Sequence, residues 1–425
     1  MLDNRPYALG VLDWLTAAAG ERPDHEAVEA DGRSLTYGQL LDRAARVAAG
    51  LAAAGVGEGE RVAVTHSPGL AFVELLHALP LLGAVLEPYP PAGPPAPRLS
   101  PAGAPLPGRE LDPDAVHSGI RTSGTTGEAK AVELTYANHV ASATASADAL
   151  GVDPADRWLC PLPLHHVGGL GVLVRCAINH TTAVLHDGFD ASRVKAELEG
   201  GGVTLASLVP TMLVRLREAG LRHTPGLRAI ALGGGPIPAG LLEWAAGAGI
   251  PVVPVYGMTE TCSQVVAGSP GRPLHGVELR IAEDGEILVR GPMVARGSVG
   301  ADGWLHTGDS GRRDTDGLLH VEGRLKDLIV TGGENVAPLE VEQALLAHPA
   351  VADAGVAGLP DAEWGEVVTA FVVLSGAASV EELLAWSRER LQGFKAPKTI
   401  HVVDSLPRNS GGKLLRDRLA DSQRP

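Results

Sequence analysis

Between Arg121 and Val132 the chain carries four hydroxyl side chains (Thr122, Ser123, Thr125 and Thr126), two glycines (Gly124 and Gly127) and then one lysine, Lys130. Glycine permits positive φ and lets successive N–H groups turn toward an anion. The hydroxyls add donors, and Lys130 adds a full positive charge. Such a loop suits the grip on a polyphosphate, although the same composition also makes ordinary turns. No glycine-lysine-serine/threonine triplet closes it, so it is not the loop of the P-loop nucleotidases.

Four later stretches carry further chemistry. The bare backbone of Gly233, Gly234 and Gly235 lets a flat ring lie against it, or simply makes a tight turn. Tyr256, Gly257, Met258, Thr259 and Glu260 end a strand-like run. There Tyr256 can stack on a base and Glu260 can hold Mg²⁺; the plain alternative is a solvated carboxylate on a loop. Asp309, after Thr307 and Gly308, can accept both hydroxyls of a ribose, and Arg324 can reach the same sugar or serve as a surface arginine at a linker. Lys413, behind Gly411 and Gly412, is a cation on a flexible lead, or a solvated lysine.

Composition limits what such residues serve. The chain has 425 residues, enough for two or more domains, with 45% hydrophobic and 20% charged side chains. A net charge of -15 argues against a nucleic-acid partner, which calls for a basic face. Cys160, Cys176 and Cys262 are too widely spaced for a metal site and too few for a disulfide framework. Buried free thiols in a reducing cytoplasm are the expectation. The N-terminus lacks the pattern of a secretory signal. The most apolar region, from Pro161 to Leu185, is interrupted by His165, His166, Arg175, Asn179 and His180, so no integral membrane association is expected.

The elements that must position these residues follow from periodicity. Helices are expected from Thr36 to Ala54 and from Leu70 to Leu82, with a short strand from Arg61 to Thr65 between them. The run from Pro88 to Gly108 holds nine prolines and reads as an extended loop. Beyond Val132, helical patterns at 136–150, 211–219 and 240–248 alternate with strands at 158–162, 182–185, 204–209, 228–232 and 252–256. That alternation implies a parallel sheet covered on both faces, with ligands at its carboxyl edge. Asp284-Gly285 marks a hairpin. A smaller α+β unit begins near Arg324–Asp327: strand 328–330, helix 338–347, strands 351–358 and 367–374, helix 380–391, strand 399–403. The expected architecture is therefore α/β, with a large domain over residues 1–325 and a small one over 326–425.

Taken together and in this order, these motifs resemble the adenylate-forming superfamily of acyl-CoA synthetases, adenylation domains and luciferases. The resemblance runs from about Leu35 to Arg416. It implies a large domain of mostly parallel sheets flanked by helices and a small mobile C-terminal domain. The proline-rich run implies an abridged N-terminal subdomain. It also implies ATP, Mg²⁺ and coenzyme A: a carboxylic acid is activated as its adenylate and then passed to a thiol. Thr122 to Gly127 and Lys130 would hold the β- and γ-phosphates, Glu260 would carry Mg²⁺ and Thr259 would touch phosphate. Gly233 to Gly235, Tyr256 and Gly257 would frame adenine, Asp309 and Arg324 would take the ribose, and Lys413 would bridge the substrate carboxylate and the α-phosphate. Lys326 matches the pivot about which the small domain swings between the two steps.

The segments Leu162–Leu170, Ser207–Thr211 and Gly257–Gln264 resemble the branch that makes aryl-type thioesters. A substrate with a second carboxylate and a ketone needs a cation and hydroxyl donors, and His166, Arg175, Ser207, Thr211, Thr261 and Ser263 are the candidates. Arg175 is the favoured cation, against the alternative of a solvent-exposed arginine on a helix face. Ala129 and Ala131 depart from the proline and glycine usual around the loop lysine, which implies altered loop stiffness. Another acid, a carrier-protein thiol as acceptor, or a nucleotide-binding regulator without catalysis stay open, as does oligomeric state, a homodimer included.

Overall fold

The computed structural model describes residues 11–30, 32–91, 104–122, 130–238, 240–408 and 414–423, without the side chains of Val11, Lys130, Ser422 and Gln423. The chain forms two compact units. One comprises Met1–Gly234, Ala248–Glu278 and Val289–Leu305; the other comprises Gly235–Gly247, Leu279–Leu288 and His306–Pro425. The second unit thus starts ahead of the Arg324–Asp327 boundary expected from the sequence. It takes in the strands before that point, which pair as hairpins: Asp309 stands opposite Arg324, and Arg313 opposite Leu319.

In the first unit, six strands run parallel in the order Glu26–Ala30, Thr182–Leu185, Arg157–Cys160, Leu205–Leu208, Ala229–Leu232 and Val252–Met258. The central ones are uniformly buried, as strands covered on both faces must be. Arg33–Thr36 pairs antiparallel at one end, and Ser263–Gly268 with Gly271–Pro273 at the other. A second sheet runs Arg61–Val64, Val85–Pro88, Val116–Thr122, Lys130–Thr135. Its last two strands form an antiparallel hairpin that periodicity did not announce.

Local sequence accounts for the helices around these sheets. Tyr37–Ala53 starts at a capping box in which Thr36 accepts from the Gln39 N–H and Gln39 returns the bond. It buries Leu40, Ala44, Val47, Ala48 and Leu51, a helical stripe. Leu70–Leu82 ends at Gly83 with φ +67°, the left-handed stop that favours glycine. The apolar region from Pro161 to Leu185 holds a helix, Val167–Asn179, that periodicity had not marked. Of the proline-rich run, residues 92–103 lie outside the described residues. No helix among the described residues is long and apolar enough to cross a membrane.

In the second unit, Glu334–Val336, Ile329–Thr331, Gly365–Leu374 and Val351–Asp361 pair antiparallel, and Thr399–Val402 adds to Gly365–Leu374 in parallel. Helices Pro338–Leu346 and Val380–Arg390 cover the sheet. Val341, Leu345, Val356, Val368, Val372 and Leu383 meet there in one buried core.

Candidate active site

The hydroxyl-rich loop connects the two strands of a hairpin. Thr122, half-buried, stands opposite Lys130, so residues 123–129 span the connection. Ser123, Gly124, Thr125, Thr126 and Gly127 lie outside the described residues. The hairpin leads directly into helix Tyr136–Leu150 through a second capping box: Thr135 Oγ1 accepts from Asn138 N at 3.1 Å, and Asn138 Oδ1 accepts from Thr135 N at 3.0 Å.

That helix also braces the turn after Val252–Met258. Residues Thr259–Thr261 form one 3₁₀ turn, and Cys262 and Ser263 then take φ of +51° and +91°, sparsely populated for such residues. Ser142 Oγ on the helix donates to the Cys262 carbonyl at 2.7 Å, and Cys262 Sγ lies 3.4 Å from His139 Nδ1. The Glu260 carbonyl accepts from Ala295 N at 2.8 Å. Asn138 Nδ2 in turn holds the Pro292 and Val294 carbonyls at 2.9 and 3.2 Å. The turn is therefore over-determined, and half-buried Glu260 is presented on a fixed backbone. Ser142, His139 and Asn138 were not singled out from the sequence; nothing in a helical pattern reveals partners more than 100 residues away.

Glycine at 257 is obligatory, since a Cβ there would stand 1.9 Å from the Ser263 carbonyl oxygen. At Gly233 a Cβ would meet Val255 Cγ2 at 2.7 Å, and Gly234 has φ +82°. Gly235 has neither constraint: the space above it is open. Tyr256 is half-buried beside these strand ends.

Among the candidates for the acid, Arg175 is 4% exposed, which overturns the solvent-facing alternative. Its Nη2 donates to Ser142 Oγ at 3.1 Å and its guanidinium lies 5.9 Å from the Trp158 ring, while its Nε has no partner. No carboxylate among the described residues pairs with it. Burial lowers its pKa. Neighbouring thiols offer no anion, because burial pushes Cys262 and Cys176 up to about 12. Ser207, also buried, accepts from Trp158 Nε1 at 3.0 Å, so Trp158 touches both Ser207 and Arg175. His166 is exposed as the N-cap of Val167–Asn179; Thr211 is exposed and Ser263 half-buried. Thr261 does not fit its expected place. It is fully buried, and its hydroxyl is engaged by Met258 N at 2.9 Å and the Ser263 carbonyl at 2.7 Å, so it serves the turn.

In the second unit, Asp309 is 6% exposed and pairs with Arg324 at 2.8 Å (Oδ1 to Nε); Arg324 Nη1 donates to the Thr307 carbonyl at 3.0 Å. Thr307 Oγ1 accepts from Asp309 N at 3.1 Å and donates to the Ile287 carbonyl at 2.7 Å. Gly308, at φ +68°, donates its N–H to Glu286 Oε1 at 2.7 Å, and Glu286 Oε2 lies 2.6 Å from His306 Nδ1. Glu286 was overlooked in the sequence, where only its place beside Asp284-Gly285 marked it. Lys326 is exposed in the 3₁₀ turn Leu325–Asp327, and Lys413 lies outside the described residues.

Mg²⁺ usually keeps several waters and takes one or two carboxylates plus substrate phosphates. Glu260 on its braced turn fits that demand. No group of three or more histidine, cysteine or acidic residues among the described residues forms a dedicated metal cage.

Comparison with known proteins points the same way. The model of the AMP-binding enzyme family matches residues 15–102 and 88–299, and that of the AMP-binding enzyme C-terminal domain matches 340–413. The 2-succinylbenzoate–CoA ligase of Bacillus licheniformis is 38% identical over 96% of this chain and 99% of its own length. The structure of o-succinylbenzoate CoA synthetase from Bacillus subtilis with the acyl-adenylate intermediate OSB-AMP is 36% identical, with a TM-score of 0.90 over 98% of this chain and 99% of that one. The same Bacillus subtilis protein with ATP and magnesium ion matches with a TM-score of 0.87, 36% identity, and 97% and 100% coverage.

Proposed function

The chain belongs to the AMP-binding enzymes, and we propose that it is an ATP-dependent, AMP-forming ligase that joins 2-succinylbenzoate to coenzyme A, a step of menaquinone biosynthesis. The observation that carries this reading is an end-to-end likeness, in sequence and backbone, to a protein captured with the acyl-adenylate of that acid. The carboxylate attacks the α-phosphate of ATP, an O–P bond forms, and pyrophosphate leaves. The thiol of coenzyme A then attacks the acyl carbon; a C–S bond forms, the bond to AMP breaks, and the thiol proton is released.

Bringing two anions together calls for fixed positive charge where negative charge develops. In this reading Thr122 to Gly127 and Lys130 hold the triphosphate, and Thr259 adds a hydroxyl. Glu260 holds Mg²⁺, which screens the phosphate charge when bound. Gly233 to Gly235, Tyr256 and Gly257 frame adenine in this reading, and Asp309 and Arg324 take the ribose. Lys413 bridges the carboxylate and the α-phosphate, and holding the reactants together makes the attack effectively intramolecular. Arg175 supplies the cation for the second carboxylate, since a buried charge without a partner is costly unless an anion meets it. Ser207, His166 and Ser263 line the acid beside it. The thiols, buried and unpaired, suit a reducing cytoplasm.

ATP–pyrophosphate exchange with a panel of carboxylic acids tests the assignment. Exchange should be strongest with 2-succinylbenzoate. Exchange only with benzoate- or fatty-type acids would overturn the substrate, and none with any acid would leave a nucleotide-binding regulator.

A further inference from the structure

Two arginines bracket the short turn that holds Lys326. Before it, Arg324 is fixed by Asp309 at 2.8 Å and by the Thr307 carbonyl at 3.0 Å. After it, Asp327 Oδ2 is held by Arg416 Nε at 3.3 Å. Arg416 reaches further. Its Nη2 donates to Glu342 Oε2 at 2.9 Å, its Nη1 meets Glu342 Oε1, and Nη1 also donates to the Val356 carbonyl at 3.1 Å. Glu342, on helix Pro338–Leu346, has a side chain only 5% exposed and accepts from Val356 N at 2.8 Å. Bidentate arginine–carboxylate pairing of this kind is strong and geometrically specific.

Arg416 therefore ties three pieces of chain into one body: the end of the turn, the helix, and the strand Val351–Asp361. It does so three residues beyond Lys413. On the other side of that lysine, Arg408 holds Asp353 of the same strand at 2.8 and 2.9 Å and bridges to Leu414. Only Leu325 and Lys326 stand between the two arginine anchors. Lys326 is exposed and makes no hydrogen bond or ion pair with a described residue.

We propose that Arg416 is a positioning residue for adenylate formation: by clamping Asp327, at the end of the turn, to Glu342 and to the strand Val351–Asp361, it holds together the described chain on either side of Lys413. This rests on the reading of Lys413 given above. Positioning errors of about 1 Å cost on the order of 10²-fold in rate, so a loosened clamp acts on the step that needs the lysine and spares the step that does not.

The test separates the half-reactions in the full-length enzyme: ATP–pyrophosphate exchange with 2-succinylbenzoate, and conversion of supplied acyl-adenylate to the coenzyme A thioester. Truncating Arg416 would strand the buried Glu342 and risk unfolding. The informative variants are Asp327→Asn, at a carboxylate one quarter exposed, and Arg416→Lys, which keeps the charge and loses the fork. Both should lower exchange about 10-fold or more while thioester formation holds, a split that general destabilisation does not produce; the melting midpoint should hold in Asp327→Asn and fall in Arg416→Lys. Equal losses in both half-reactions, or exchange unchanged, would overturn the clamp. Lys413→Ala, assayed alongside, tells the two failures apart. Its loss of exchange upholds the reading of the lysine, and retained exchange would sink that reading and the clamp with it.

Discussion

Three successive glycines after Leu232 answer to different demands. Gly233 is required by its contact with Val255 and Gly234 by its positive φ, so both are explained without any ligand. Gly235 is not, and the open space above it is what a bound ring would need. Gly235→Ala should raise the KM for ATP severalfold in the exchange assay with the melting midpoint unchanged; an unmoved KM would remove the adenine from this position. Gly257→Ala should do the opposite. Its Cβ has backbone 1.9 Å away, so it should destabilise the fold by about 3 kcal/mol or more, read from urea denaturation. Full stability in that variant would mean the turn before Glu260 is far looser than its bonds indicate. Arg175 shows where residue-level reading stops. Its charge was visible in the sequence, but its burial depends on Ser142 and Trp158, which arrive from other elements.

At the scale of elements, what could be read tracked how local the cause was. Leu70–Leu82 and Tyr37–Ala53 follow from apolar spacing, a capping box and a terminal glycine, and they lie where the pattern puts them. Val167–Asn179 was hidden by Gly168, Gly169 and Gly171, poor cues for a helix. Gly169 is there because a Cβ would stand 2.4 Å from the Pro163 carbonyl oxygen, a tertiary reason. The Val116–Thr122 strand buries His117, Ser118 and Gly119, so it lacks a hydrophobic signature.

Those buried polar positions give a pH dependence. His77 and His139, on two helices, and His117 between them in sequence are all buried. Burial lowers His77 to about 4 and, with Arg175 nearby, His139 to about 3; it drives His117 well down too. Folding thus favours the neutral rings, so their contribution is intact above the unfolded value near 6.5 and is lost as pH falls toward the folded values. Each should cost about 1.4 kcal/mol per pH unit across that window. Urea midpoints measured at pH 7 and pH 5 should fall steeply with acid, and less so in His77→Leu. Equal slopes in both proteins would show that His77 is already solvated or charged.

For the whole molecule, the proposed reading has Lys413 serve the first chemical step and not the second. The candidate motifs for nucleotide and metal could be named from the sequence because they are short and follow one another in order. The extent of the second unit could not: Asp284-Gly285 marked a hairpin, but the grouping of residues 279–288 and 306–324 with the C-terminal unit rests on tertiary pairing such as Asp309 opposite Arg324. The candidates for the acid pocket could be judged only with the structure, since Thr261 looks like any free hydroxyl until its bonds to Met258 and Ser263 are seen.

The most direct test of the account is to identify the products formed from 2-succinylbenzoate, ATP, Mg²⁺ and coenzyme A. It predicts AMP, pyrophosphate and the succinylbenzoyl-CoA thioester in equal amounts, all lost when the metal is chelated. ADP and inorganic phosphate, or AMP released without any thioester, would contradict it.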